Sequence, residues 1–203
     1  MAQFHTWLFN RIAYFYQFFY RKQVKEYAKI LSLYEQELKL PKSAKILDVG
    51  CGTGAFGAAF KQRGYEVVGI DIAKKMVKKG RKNQLICEEG DILNGLSFDK
   101  DKFDLVIMGS VLHGVNADSR RIIFQETSRL TKQKVLFHDY HTTRKWYISF
   151  IEWIEHGDYF NFIKNLPTEF EDNFDSVKIF DVSTTSAWYL CRNSSGSENF
   201  KEK

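Results

Sequence analysis

Apolar residues recur at two different periods along this chain, and the change from one to the other falls near residue 44. Over 3–21, Leu8, Ile12, Phe15 and Phe19 repeat at helical spacing. Phe4, Phe9 and Tyr16 widen that face, and Gln3, Thr6, Asn10, Gln17 and Arg21 form a narrow polar stripe opposite. A second amphipathic helix follows, with Val24, Tyr27, Leu31, Tyr34 and Leu38 on one side, and Pro41 ends it. From Ala44 the pattern becomes short apolar runs rich in β-branched residues, at 45–49, 66–70, 84–87, 104–109 and 134–138. Helical segments near 54–63, 73–80 and 117–130 separate them, the last with Asn116 or Asp118 available as a cap. This alternation predicts an open parallel sheet covered by helices on both faces, with right-handed crossovers.

A further helix is expected over 143–155, where Trp146, Phe150, Ile151 and Ile154 share a face. The chain then passes through Gly157 and Pro167 without a predicted element. Two strand-like runs, 174–182 and 185–192, are separated by Ser183-Thr184 and read as a hairpin, so the sheet should end in an antiparallel pair. The tail from Asn193 is polar and Ser/Gly-rich, and is expected to be mobile. The pattern therefore divides into a helical cap over 1–40, an α/β domain over 41–192 and a tail over 193–203.

Composition narrows the function classes only a little. Hydrophobic content of 44% and charged content of 27% are ordinary for a globular protein. A net charge of +5 permits an anionic ligand or surface without requiring nucleic acid, which is not expected as a partner. Cys51, Cys87 and Cys191 are too widely spaced for a zinc pattern and are odd in number, so neither a metal site nor a disulfide framework is expected. No secretory signal and no long apolar run is visible, which points to the cytoplasm. The pattern does not set an oligomeric state.

The chemistry starts at Asp48-Val49-Gly50-Cys51-Gly52-Thr53-Gly54, where a strand breaks into a glycine-rich loop that opens a helix. Such a loop lets backbone approach a ligand closely. Gly52, Gly54 and Gly57 satisfy the dinucleotide spacing G-x-G-x-x-G, and the second strand ends in Asp71, placed to accept hydrogen bonds from a ribose diol. Asp48 separates two readings. A carboxylate there opposes a pyrophosphate by an energy of order 1–4 kcal/mol, but suits a ligand carrying an ammonium or sulfonium. An NAD-linked oxidoreductase and an S-adenosylmethionine protein are the alternatives, the second either catalytic or only binding.

The loop resembles the signature loop of the class I S-adenosylmethionine-dependent methyltransferases, and three later segments match that family in order. Asp71, followed by Ile72, resembles the acid used for the ribose hydroxyls. Glu89-Gly90-Asp91-Ile92 resembles the segment whose acid meets the adenine amino group, with the next residue beside the ring. The run Phe103 to His113, containing Gly109-Ser110-Val111-Leu112, resembles the fourth strand and the loop next to the methyl donor. The resemblance implies a Rossmann-like sheet of seven strands and a cofactor, S-adenosyl-L-methionine, held by Asp48, Gly50, Cys51, Gly52, Asp71, Ile72, Asp91, Ile92 and Ser110. It also implies Met76 on the adenine face, where simple core packing is the alternative. The Asn-Pro-Pro-Tyr type loop of amino-methylating nucleic-acid enzymes is missing from the chain.

Methyl transfer from a sulfonium depends on holding a nucleophile in line with the leaving sulfur, and a general base is required only if the acceptor carries its proton. His113, just after the fourth strand, and His138 in the cluster His138-Asp139-Tyr140-His141 are the candidates for that base or for substrate contact. The expected acceptor is a small or partly apolar molecule, with Trp146 and Trp153 as candidate pocket walls. Three readings of the aromatic N-terminal segment stay open: Tyr16 closing over the cofactor, a helix docking on a membrane surface, or plain cover for the sheet.

Overall fold

The protein is described from a computed structural model, which covers residues 2–141 and 159–193, with side chains from Gln17 to His141 and from Phe162 to Asn193. The elements run α1 (Ala2–Leu38), β1 (Lys45–Val49), α2 (Ala55–Lys61), β2 (Glu66–Asp71), α3 (Lys74–Lys82), β3 (Ile86–Glu89), β4 (Leu105–Gly109), α4 (Ala117–Leu130), β5 (Lys134–Tyr140), α5 (Tyr159–Asn173), β6 (Ser176–Asp181) and β7 (Ser186–Arg192). Short 3₁₀ turns occupy Ile92–Asn94 and Leu112–Gly114. The strands form one seven-stranded sheet in the order β3-β2-β1-β4-β5-β7-β6. Strands β1 to β5 pair in parallel, whereas β7 runs antiparallel between β5 and β6. The expected α/β architecture, with its seven strands and terminal hairpin, is present.

Burial explains why this topology needs cover on both faces. All of Ile46, Leu47, Leu105, Val106, Ile107, Val135, Leu136 and Phe137 are fully buried, so the central strands have no solvent face. One core holds Phe124, Phe137, Phe162, Leu166 and Phe170 under α4 and α5. The other holds Leu31, Leu38, Ile46, Phe56, Phe60 and Trp188 under α1 and α2.

Three expectations differ from the structure. The pattern separates an aromatic helix over 3–21 from a second helix, but α1 is one helix because no Pro or Gly interrupts the chain before Pro41. Strand β3 spans 86–89 rather than 84–87, because Gln84 takes a left-handed turn conformation (φ 65°) that cannot extend a strand. Helix α5 lies where no element is predicted, and it runs through Pro167. Its apolar residues Phe162, Leu166 and Phe170 fall at i, i+4 and i+8 and are almost completely buried. Burying three such side chains stabilises the helix by about 5–9 kcal/mol, more than the roughly 3 kcal/mol a proline costs inside it. The helix expected over 143–155, with Trp146 and Trp153, and the tail beyond Asn193 lie outside the described residues.

Candidate functional site

At the carboxyl edge of the sheet, β1 runs directly into the glycine loop. Gly50, Gly52 and Gly54 all adopt positive φ, at 67°, 54° and 82°. A Cβ on Gly50 would stand 2.7 Å from Val111 Cγ2, so the loop after β4 presses on the loop after β1 only because Gly50 lacks one. The loop is tied down by Cys51 N donating to Ile70 O (3.0 Å) and Gly52 N donating to Asp71 Oδ2 (2.7 Å).

Both acids singled out in the sequence sit beneath this loop. Asp48 is 1% exposed, and its Oδ2 accepts from Gly57 N (2.9 Å) in the first turn of α2. Asp71 Oδ1 accepts from Ala73 N (2.8 Å) ahead of α3. Burial pushes Asp48 up to about 7, against the Gly57 hydrogen bond, and the charge of Asp71 adds to the rise. Burial also raises Asp71, despite its two amide bonds. Two carboxyls that resist ionisation side by side form a site where a cation is favoured and a phosphate is not. The sequence reading pictured Asp48 facing a ligand; the geometry has one of its oxygens turned into the α2 N-terminus.

The remaining cofactor candidates occupy the same edge. Ile72 is half-buried between Asp71 and α3, and Met76 is buried on the inward face of α3. Asp91 caps the first 3₁₀ turn, accepting from Leu93 N (3.0 Å) and from Asn94 Nδ2 (2.8 Å), and Ile92 packs against the core beside it. Ser110 is exposed and holds φ at 57°, a conformation non-glycine residues rarely adopt, with its amide bonded to His138 O (2.8 Å). Tyr16 belongs to α1, and its side chain lies outside the described ones. The aromatics next to it, Phe18 and Phe19, are exposed, Phe18 at 82%.

Alternation along β5 sends His138 and Asp139 to opposite faces, and the other histidine candidate, His113, lies on the face of Asp139. His138 points toward α1 and α2, with Tyr27 (5.2 Å between ring centroids) and Phe56 (6.2 Å). Burial pushes it down to about 4, only partly offset by Asp139, so it is neutral at pH 7. Asp139 points to the other face and meets His113, with Oδ1 2.7 Å from Nδ1. The structure thus joins His113 to Asp139 and keeps His138 apart from both.

Residues 46–134 match the family model described as a methyltransferase domain. Over that span the chain is similar to the class I S-adenosylmethionine-dependent methyltransferases. It is 31% identical over 100 residues to the ubiquinone biosynthesis O-methyltransferase of Pelagibacter ubique, a match covering 47% of this chain and 41% of that one. Matches to the first curated relatives cover less than half of each relative's length. Among solved structures, the fold is similar to the PH0226 protein of Pyrococcus horikoshii (TM-score 0.68, 21% identity, 86% of this chain and 91% of that one). It is also similar to magnesium protoporphyrin IX methyltransferase of Synechocystis with bound SAH (TM-score 0.62, 16% identity, 96% of this chain and 95% of that one).

Three features of this methyltransferase fold escaped the sequence reading. Arg120 is fully buried in α4, pairs bidentately with Glu169 of α5 (2.6 and 2.7 Å) and donates to Val115 O (2.5 Å), tying α5 to the loop that carries His113. Cys51 Sγ lies 3.7 Å from Cys87 Sγ. The partnership of Asp139 with His113 joins β5 to the turn after β4, and its one sequence signal is that Asp139 shares the face of Phe137 on β5.

Proposed function

We propose that this chain binds S-adenosylmethionine against the glycine loop and transfers its methyl group to a small, partly apolar acceptor. The observation that carries the reading is the buried pair Asp48 and Asp71, each raised in pKa mainly by burial. A cationic ligand relieves that penalty, whereas the pyrophosphate of NAD would deepen it. The donor set fits. Asp71 and Asp91 each spend lone pairs on neighbouring groups, yet every carboxylate oxygen has a second one to offer a hydroxyl or an amino group.

When bound, S-adenosylmethionine supplies a methyl group on a positively charged sulfur, already activated for displacement. The work left to the chain is orientation and exclusion of water. Gly50 and Gly52 let backbone approach the ligand, Asp71 and Asp91 hold its nucleoside end, Ile72, Ile92 and Met76 line the ring, and Ser110 marks the end toward the acceptor. His113 faces the acceptor side. The described residues include no helix long and apolar enough to cross a membrane, and the described thiols are all free, which suits a reducing cytoplasm. The relative named for ubiquinone biosynthesis favours an apolar acceptor.

Calorimetry with S-adenosylmethionine, S-adenosylhomocysteine and NAD tests the first half. The expected result is binding of the first two and none of NAD; the reverse order would replace the reading with the oxidoreductase. Release of S-adenosylhomocysteine on incubation with a metabolite extract tests the second half, and binding without release would leave a non-catalytic binding protein.

A further inference from the structure

We propose that the cleft between α1 and the end of α3 is a second ligand site, built for a phosphate monoester carried on a flat ring, as in a nucleoside monophosphate. None of the cofactor candidates with described side chains lines this cleft.

A cavity of about 520 Å³ opens there, within the size range of small-molecule sites. Arg21 of α1 and Lys82, the last residue of α3, both line it, and among the described residues no carboxylate does. Nor does α1 carry any acid before Glu26. Among the described residues, neither Arg21 nor Lys82 forms an ion pair. A helix C-terminus carries a partial negative charge of about half a unit, which opposes an anion. The last turn of α3 more than offsets it with Lys79, Arg81 and Lys82, and Lys22 and Lys78 lie exposed on the same two helices. The cleft is therefore positive on balance. A phosphate monoester, at about −1.5 to −2 near pH 7, matches the two facing cations, whereas a carboxylate brings only one charge.

The floor of the cleft is already set. Asn83, at the C-cap of α3, exchanges hydrogen bonds with Gln17 of α1 (2.9 and 3.3 Å) and donates to Thr53 O in the glycine loop (2.8 Å). Gln84 follows in a left-handed conformation (φ 65°), and its carbonyl accepts from Lys61 Nζ of α2. Three helices thus hold the segment 83–84, and little ordering is left for a ligand to impose. Asn83 uses both amide protons in these contacts, whereas Gln17 Nε2 uses one of its two on Asn83. Tyr20 also lines the cleft, and burial raises its pKa, so its hydroxyl remains a donor at neutral pH.

The flat ring follows from Phe18. It lines the same cleft, is 82% exposed, and meets Phe19 edge-on at 5.2 Å between centroids. Residues three apart on a helix are surface neighbours, so Phe18 stands beside Arg21. An open aromatic face next to a phosphate-binding cation stacks a ring while its phosphate is held.

The test uses the full-length protein and phenyl phosphate as the probe, read by calorimetry at about pH 7.5 and low salt. Phenyl phosphate should bind at least about fivefold more tightly than inorganic phosphate, which has no ring, and than benzoate, which has one charge. Arg21→Gln and Lys82→Gln should each weaken it about tenfold, and added salt should weaken it further. Phe18→Ala should cost about fivefold with phenyl phosphate and leave inorganic phosphate unchanged. Lys25→Gln, which removes an exposed cation of α1 outside the cleft, should leave the affinity as it is. No binding by the parent, or equal losses in Lys25→Gln and Arg21→Gln, would overturn the inference. So would displacement of the probe by saturating S-adenosylhomocysteine, which would put it in the glycine-loop site. Binding of phosphatidylglycerol vesicles without binding of phenyl phosphate would assign these cations to a lipid surface and overturn it as well. Failure of S-adenosylhomocysteine itself to bind would overturn the methyl-transfer reading instead, and the variants would still decide this one.

Discussion

Cys51 Sγ and Cys87 Sγ lie 3.7 Å apart over the bare Cα of Gly69. The two thiols come from the cofactor loop and from β3, and they meet because the strand between them carries no side chain at that point. A Cβ on Gly69 would stand 2.8 Å from Cys51 Sγ and 3.1 Å from Cys87 Sγ. Gly69→Ala should therefore destabilise the fold by about 1–3 kcal/mol through overpacking, measured by urea denaturation. Adding Cys51→Ala should recover part of that loss, and simple additivity of the two changes would refute the steric account.

Asp48 links stability to pH. Its carboxyl is held up at about 7 in the fold and titrates near the ordinary 3.8 when unfolded. The stability tied to its protonated form is complete below about pH 4 and is lost as pH rises through about 7. Asp48→Asn should flatten that decline, so the variant is more stable than the parent at pH 8 in the absence of ligand. A cationic ligand prefers the ionised form, so the parent's affinity for S-adenosylmethionine should climb through pH 7. The variant should bind about tenfold more weakly at pH 8, with little pH dependence. Thermal melts and calorimetry across pH 5–8.5 check both.

The buried Arg120–Glu169 pair joins α4 to α5. Glu169→Ala leaves the guanidinium facing a lost carboxylate and should cost about 3 kcal/mol in chemical denaturation. The double change Arg120→Met with Glu169→Leu should cost less than that single one, because it removes both charges together.

Asn116 caps α4, with Oδ1 accepting from Ser119 N at 2.9 Å. Asn116→Ala should cost about 1 kcal/mol, and Asp118→Ala less, since Asp118 lies inside the first turn and is not the cap. A larger loss at Asp118 in urea denaturation would reverse that assignment.

Local pattern made the sheet legible because each central strand is a short, doubly buried run whose apolar residues are contiguous. The hairpin and the Asn116 cap were visible for the same reason: both are set by residues close in sequence. Helix α5 was not, since Pro167 masks it and only the long-range burial of Phe162, Leu166 and Phe170 reveals why a helix survives there. The glycine loop announced a ligand site, yet the direction in which Asp48 points depends on the close approach of α2 at Gly57. The pairing of His113 with Asp139 depends on the β4–β5 register, which brings Gly109 opposite His138.

Helix α1 has a consequence for how the protein is made. Its buried Leu31 and Leu38 share a core with Trp188 and Leu190 of β7. Tyr34 Oη donates to the Asp181 carbonyl across 147 positions, and Arg192 donates to the Glu37 carbonyl across 155. At about 5–20 residues per second, a ribosome delivers the helix roughly seven to thirty seconds before the strands of the hairpin it packs against. The part of its apolar face that meets β7 waits for those strands, whereas Val24 can meet Ala55 and Ala58 of α2 soon after they are made.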